Sequence, residues 1–448
     1  MGAPQFERAI GIGLDFGTTN SSLAIATGDG APELAVFPTA RGATPSFRSV
    51  LFFGREDDES PIESAAGPMA IERYLEMEGE RRLVQSLKSF LASRSFSATR
   101  LFGRRTTLEH LVTGILNRLL ESREAGRARL AGPVVVGRPV RFAKSQGPAD
   151  DDFAVERLRQ ALAGAGLESV VFEYEPVAAA YHYERDLDHE ELVLIADFGG
   201  GTSDFCLLRV GPEPRRNRGP DSILGTEGVA LAGDAFDARI VRERVAPRLG
   251  RGGHHVTPYG DRVPVPNWIY RDLERWHHLS FLRTRKTLGL LYEIRKQSQD
   301  PTPIDALIHI VENDLGYALY RSVERAKTEL SVREETRLRF AAGPVEIDTT
   351  VSRPEFESWI ASELDSIRVS VDRLLHTTGA SAGEVDRVFL TGGSSFVPAV
   401  RRIFEQRFGA DRLRTGGELI SVASGLALRA RDLARSGATG HQDPRDAG

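Results

Sequence analysis

One pattern occurs twice in this chain of 448 residues, and it restricts the fold more than anything else in the sequence. Residues 192–208 read Leu-Val-Leu-Ile-Ala-Asp-Phe-Gly-Gly-Gly-Thr-Ser-Asp-Phe-Cys-Leu-Leu. An apolar run ends in Asp197; three glycines follow, then Thr202, Ser203 and Asp204, before a second apolar run. That is strand, tight turn, strand. Residues 11–26, Gly-Ile-Gly-Leu-Asp-Phe-Gly-Thr-Thr-Asn-Ser-Ser-Leu-Ala-Ile-Ala, repeat it at a constant offset of 182, laying Asp15-Phe16-Gly17 on Asp197-Phe198-Gly199 and Ser21 on Ser203. Alone, Gly-Gly-Gly is also an ordinary hairpin turn; the second copy gives it meaning. Glycines leave room for backbone N–H groups to turn inward around an anion, so Gly17, Thr18, Thr19 and Asn20 form one candidate phosphate cradle and Gly199, Gly200, Gly201 and Thr202 the other. Asp15, Asp197 and Asp204 offer the hard oxygen atoms that a Mg²⁺–phosphate complex takes. A duplicated hairpin of this kind implies two similar lobes with a nucleotide's phosphates held between them.

The rest of the composition sets bounds. The chain is long enough for two substantial cores, and 41% hydrophobic with 27% charged residues is the composition of a globular protein. A net charge of −5 gives nucleic-acid binding no electrostatic support. The one cysteine, Cys206, falls in a predicted buried strand and reads as packing. No run of 18 apolar residues occurs and the first residues lack the apolar core of a signal peptide, so a cytoplasmic location without membrane contact is expected.

The two hairpins resemble the first and second phosphate loops of the superfamily of actin, sugar kinases and 70-kilodalton heat-shock proteins, and further stretches narrow the resemblance to the DnaK type. Residues 84–94, Val-Gln-Ser-Leu-Lys-Ser-Phe-Leu-Ala-Ser-Arg, are similar to the segment whose lysine reaches the γ-phosphate and attacking water; the resemblance gives Lys88 that role. By itself Lys88 reads as a solvated lysine on an amphipathic helix, since Leu75, Leu83, Val84, Leu87 and Leu91 predict one over 71–91. Glu175-Pro176, opening an alanine-rich helix, resembles the first connecting helix of the family, with Tyr174 where the family has asparagine. The resemblance implies that Glu175 touches the metal's water shell. Residues 228–239 partly match a family stretch that contributes Gly233.

Residues 320–331, Tyr-Arg-Ser-Val-Glu-Arg-Ala-Lys-Thr-Glu-Leu-Ser, match the adenosine-binding helix, which implies that Glu324 and Lys327 flank the ribose and Ser331 meets the adenine. Read without the family, Glu324 and Lys327 are an i,i+3 pair worth tenths of a kcal/mol. In 387–400, strand, glycine turn and helix bring Gly392, Gly393 and Ser394 to the base, with Phe396 where the family stacks an arginine. A phenyl ring can stack on adenine as well, without the cation. Near 418–425 the carboxylate of the family motif is missing, with Leu419 in its region.

Helices are also predicted over 101–122, 155–167, 268–291 and 304–319. The paired His254 and His255 lack the spacing of a metal site. Residues 245–319 depart most from the family and read as an insertion, a candidate surface for a protein partner.

The resemblance implies an α/β, two-lobed actin-like ATPase, a duplicated RNase H-like fold with a central nucleotide cleft. Lobe I is expected over 1–190, completed by a closing helix at 416–433, and lobe II over 191–415. A disordered tail is expected at 434–448 and no peptide-binding domain, as in the shortened YegD-like relatives. The expected chemistry is slow hydrolysis of Mg·ATP to ADP and phosphate by a monomer, with Lys88, Glu175, Asp197 and Thr202 catalytic, Asp15, Asp197 and Asp204 at the Mg²⁺, and K⁺ allowed as a companion ion. A nucleotide-gated adaptor without appreciable hydrolysis is the alternative, and a sugar kinase a third. A P-loop NTPase is excluded, since Gly-Lys occurs nowhere.

Overall fold

The computed structural model describes residues 9–436 apart from 29, 40–41, 58, 78, 122–131, 185–186, 213–221, 276–281 and 416–420. Leu419, the start of the expected closing helix and nearly all of the expected tail therefore lie outside the described residues. The chain divides into two compact units: Met1–Ala232 with Ser366–Ser395 and Arg401–Gly448, and Gly233–Asp365 with Phe396–Val400.

The first unit is built on two sheets of the same design. In one, β1 (Ala9–Asp15), β2 (Asn20–Thr27), β3 (Glu33–Leu34), β4 (Val134–Arg138) and β5 (Val170–Tyr174) stand in the order β5-β4-β1-β2-β3. In the other, β6 (Glu191–Phe198), β7 (Ser203–Val210), β8 (Ile223–Val229), β9 (Arg387–Thr391) and β10 (Leu413–Thr415) stand in the order β8-β7-β6-β9-β10. In each, the first strand lies at the centre, the second and third add antiparallel on one side, and the fourth and fifth add parallel on the other. Parallel neighbours need crossovers, and both faces of such a sheet are covered. Hence β4 (Val-Val-Val-Gly-Arg) and β6 (Glu-Leu-Val-Leu-Ile-Ala-Asp-Phe) are buried along their whole lengths. Cys206 in β7 is fully buried among apolar neighbours.

The helix α4 (Glu175–Glu184) packs against a late helix, α11 (Ser421–Ser436), which also lies on β1. The approach of these two helices is close enough to exclude a side chain: a Cβ on Gly425 would stand 1.7 Å from the Ala178 carbonyl oxygen. Three consecutive alanines, Ala178 to Ala180, make the matching small surface, and all are fully buried.

The helix expected over 71–91 is three elements: α1 (Pro68–Glu76), a strand at Glu80–Gln85 and a 3₁₀ turn at Leu87–Phe90. The strand pairs with Val50–Arg55, so a tertiary partner overrides helical spacing. The helix expected over 101–122 starts later, as α2 (Leu108–Leu120), because Phe102 and Gly103 both take positive φ and close a hairpin before it. Thr107 caps α2 by accepting from the His110 N–H. The helix expected over 155–167 begins earlier, as α3 (Pro148–Gly164).

In the second unit α5 (Gly233–Ile240) runs on through a π turn and a 3₁₀ turn to Leu249. The segment read as an insertion carries a short ribbon, His254–Val256 with Arg262–Pro264, and the helices α6 (Asn267–Leu273), α7 (Arg285–Gln297) and α8 (Thr302–Glu312). The helix expected over 304–319 breaks at Asp314, which has φ 52°, and restarts as α9 (Gly316–Val332). A regular ribbon, Glu335–Ala342 with Val345–Ser352, alternates buried and exposed residues and lays Leu338 and Phe340 under α9. A capping box between Ser352 and Glu355 then starts α10 (Arg353–Trp359).

Candidate functional site

The two hairpins agree in atomic detail. Asp15 pairs with Ser22 across β1–β2, and Asp197 pairs with Asp204 across β6–β7, so the offset of 182 holds in both strands. At each turn the glycine after Asp-Phe lies against a carbonyl three residues on. A Cβ on Gly17 would stand 2.0 Å from the Asn20 oxygen, and one on Gly199 would stand 3.3 Å from the Thr202 oxygen. The Gly199 N–H donates to that Thr202 oxygen at 2.9 Å. Phe16 and Phe198 are fully buried and anchor the turns. Phe198 stands edge-on to Phe205 and Phe404, each 5.9 Å away. The first turn is braced from outside, where Ser49 N–H donates to the Thr19 oxygen at 2.9 Å.

Both hairpins belong to the first unit, and their turns meet. A Cβ built on Gly201 would lie 3.6 Å from Thr18 Oγ1 and 3.5 Å from Ser89 Oγ. Lys88, beside Ser89, is buried and reaches Glu175, with Nζ 2.5 Å from Oε1. The turn that carries it is fixed at both ends. Ser86 enters it with left-handed backbone, φ 54°, which costs a non-glycine residue energy. Beyond it, the buried Arg157 of α3 donates to the carbonyl oxygens of Phe90, Leu91, Ser93 and Phe96 at 3.1–3.4 Å. Glu175 begins α4, and Gly137 at the end of β4 makes space for it: a Cβ there would stand 3.2 Å from Glu175 Cγ.

The electrostatics follow from enclosing Asp15, Asp197, Asp204 and Glu175 around one ammonium group. Loss of water, then the charge of Glu175, pushes Asp15 up to about 8, with Asp197 adding to the rise and Lys88 opposing it. The same two causes raise Asp197 to about 6, against the hydrogen bond from Thr391 and the charge of Lys88. Asp204 is raised well above the ordinary carboxylate range by burial, then by Glu175. Burial alone would lower Lys88; Glu175 and Asp15 outweigh it and hold the ammonium above its usual value.

A divalent cation fits this donor set, because it would relieve the mutual repulsion of the carboxylates. Among the described residues the buried hydroxyls Thr19 Oγ1 and Ser89 Oγ have no hydrogen-bond partner, and Ser89 Oγ stands beside Gly201 where the two turns meet. Among the described residues no three His, Cys, Asp or Glu stand close enough to hold a metal alone. Mg²⁺ commonly keeps several waters and binds through one or two carboxylates and phosphate oxygens, so it needs no such cage. Asp204 is already engaged, with Oδ1 accepting from the N–H of Val140 at 2.8 Å and of Arg141 at 3.3 Å.

The residues assigned to the nucleoside are distributed differently. Glu324, Lys327 and Ser331 lie on α9 of the second unit. Lys327 Nζ forms an ion pair with Asp237 Oδ2 at 2.8 Å and donates to the Gly233 oxygen at 3.2 Å, so Gly233 and Lys327 are brought together. Gly392, Gly393 and Ser394 follow β9 in the first unit; Gly393 is exposed and Ser394 buried. Phe396, in the second unit, is 54% exposed.

Three contributors escaped the sequence reading: Ser89, Gly137 and Thr391. Ser89 is adjacent to Lys88 in the quoted motif, so its position was a usable signal. Gly137 and Thr391 owe their places to parallel strand pairing, which leaves no local signature.

Comparison with known proteins shows which sequences this chain resembles. The family model described as Hsp70 protein matches residues 307–440. The likeness is to the Hsp70 chaperones. The stromal 70 kDa heat shock-related protein of Pisum sativum chloroplasts is 26% identical over 449 residues, covering 94% of this chain and 53% of the relative. The chaperone protein DnaK of Deinococcus proteolyticus is 26% identical over 455 residues, covering 94% and 58%, and that of Thermotoga petrophila 26% over 434 residues, covering 94% and 59%. The chain thus spans somewhat more than half the length of these Hsp70 relatives. Among the described residues no helix is long and apolar enough to cross a membrane.

Proposed function

We propose that this chain is an Hsp70-like nucleotide-binding protein that holds Mg·ATP between its two glycine hairpins and hydrolyses it slowly. The observation that carries the proposal is the meeting of the two turns beside the buried Lys88–Glu175 pair. The matching topology of the two sheets supports the duplicated RNase H-like, actin-type fold; the lobes at 1–190 with 416–433 and at 191–415 are assigned on resemblance, and they differ from the two compact units, the first of which holds both sheets.

In this reading amides within 17–20 and 200–202 receive the phosphate oxygens while the Gly199 N–H keeps the turn closed on the Thr202 oxygen, and Asp15 and Asp197, with Asp204 beside them, would hold the metal through its waters. When bound, Mg²⁺ supplies charge neutralisation for the departing phosphate. Lys88 and Glu175 hold the attacking water in line, and Lys88 stabilises charge that grows on the γ-phosphoryl oxygens. Thr202 closes the second turn. The nucleoside is assigned, on resemblance, to Gly233, Glu324, Lys327, Ser331, Gly392, Gly393, Ser394 and Phe396. A monomeric, chaperone-related or regulatory role in the cytoplasm, as in YegD-like relatives, completes the proposal, with residues 245–319 as the surface for a protein partner.

A specific observation favours a second reading. Phe396 stands exposed where the family has arginine, and a weakened adenine contact suits an adaptor that binds nucleotide without turning it over. Phosphate release by the purified protein, set against calorimetric binding of ATP and ADP with and without Mg²⁺, separates the two. Mg²⁺-dependent release supports the ATPase; binding without release supports the adaptor; binding of neither nucleotide removes both. ADP formation only when small alcohols are added would point to a sugar kinase.

A further inference from the structure

We infer that Thr391 is a positioning residue for Asp197, an assignment that rests on the nucleotide reading above. The parallel register sets Thr391 of β9 directly beside Asp197 of β6. Neighbours in register on adjacent strands project from the same face of the sheet, so their side chains meet. Thr391 is fully buried, and its Oγ1 donates to Asp197 Oδ1. A β-branched side chain in a strand has few rotamers, which holds the hydroxyl in place. Its single proton occupies Oδ1 and leaves Oδ2 as the oxygen offered to a ligand. The antiparallel register on the other side of β6 places Asp204 against Asp197, so Asp204, Asp197 and Thr391 form one row across three strands.

The first sheet has no counterpart. One step beyond the Leu14–Val136 pair, beside Asp15, the chain has Gly137, which carries no donor and instead gives room to Glu175. The sheet topology repeats while this contact does not, so the hydroxyl is a local addition to the second hairpin rather than a requirement of the fold.

The test compares wild type, Thr391→Val, which keeps the shape and removes the donor, and Thr391→Ser, which keeps the donor. Single-turnover hydrolysis is measured together with the Mg²⁺ concentration that gives half-maximal rate. Misplacement of a reacting group by about 1 Å costs on the order of a hundredfold, so Thr391→Val is expected to lose about tenfold to a hundredfold in rate or in Mg²⁺ requirement. Its KM for ATP is expected to stay within about threefold, and Thr391→Ser to recover most of the loss, as expected for a shared hydrogen bond. Equal rates and Mg²⁺ requirements in wild type and Thr391→Val, or equal losses in both variants, would overturn the inference. Should wild type neither bind nor hydrolyse Mg·ATP, the nucleotide reading fails by itself, and a crystal structure of Thr391→Val then decides on Thr391. Asp197 is expected to leave its present rotamer; an unmoved carboxylate would overturn the inference.

Discussion

The two sheets of the first unit share strand order, strand sense and the 182-residue offset, yet the rows beside their central aspartates differ. Around Asp15 stand Ser22 and Gly137; around Asp197 stand Asp204 and Thr391. In the first row a glycine admits Glu175 from another element, and with it the Lys88 ion pair. In the second the neighbours are polar, and one of them, Thr391, holds the aspartate from within the sheet. Topology fixes where the two aspartates stand. The residues one strand away decide whether each is steered by a distant helix or by its own sheet.

The largest effect is expected where the first row meets Lys88. Replacing Lys88 by Ala removes a preorganised cation worth about 2.7–4 kcal/mol of barrier, so turnover should fall a hundredfold or more while ATP still binds. Single-turnover hydrolysis and calorimetry measure the two quantities separately, and unchanged turnover would remove Lys88 from the chemistry. Breaking a buried pair also costs about 3–5 kcal/mol of stability. The double variant Lys88→Met/Glu175→Gln should regain part of that loss in denaturant unfolding; if it regains none, the pair is not what Lys88 contributes to the fold.

The second row is tested at Asp204, whose Oδ1 serves the Val140 and Arg141 amides. Asp204→Ala leaves buried donors unmet, at about 1–3 kcal/mol each, and should lower the unfolding midpoint. Asp204→Asn should cost much less, because burial favours the neutral carboxyl and an amide keeps the acceptor oxygen. Equal losses in the two variants would mean that Asp204 acts through its charge.

A smaller effect follows from the raised carboxyls. Asp15 near 8 and Asp197 near 6 both bind a proton more tightly in the folded chain than an ordinary aspartate at 3.8. Between those values the folded state holds more protons than the unfolded state, so the stability of the ligand-free protein should fall as pH rises from about 4 to 8, with the share from Asp197 lost by about 6. Binding Mg·ATP near pH 7 should release protons as Asp15 ionises beside the metal. Calorimetry in buffers of different ionisation enthalpy reads that release directly; a binding enthalpy that is the same in every buffer would contradict it.

What the sequence reveals here depends on how local the information is. The hairpins were legible because their strands, aspartates and glycines are contiguous, and because one offset relates the copies. The α9 motif kept its helix because its apolar spacing and its burial agree. Residues 71–91 misled because alternate and helical spacing both fit the leucines, and only the partner strand Val50–Arg55 chooses between them. The contact of Lys88 with Glu175 spans 87 positions, and that of Thr391 with Asp197 spans 194. Distances along the chain of that order leave no periodicity, so neither contact could be read before the strands were paired.

The most direct measurement is a crystal structure of the protein with Mg²⁺ and a non-hydrolysable ATP analogue. The β- and γ-phosphates are expected between residues 17–20 and 199–202, with Lys88 Nζ at the γ-phosphate and the metal on the side of Asp15 and Asp197. An analogue bound away from both turns, or phosphates touching one hairpin only, would contradict the shared grip from which every role proposed here is derived.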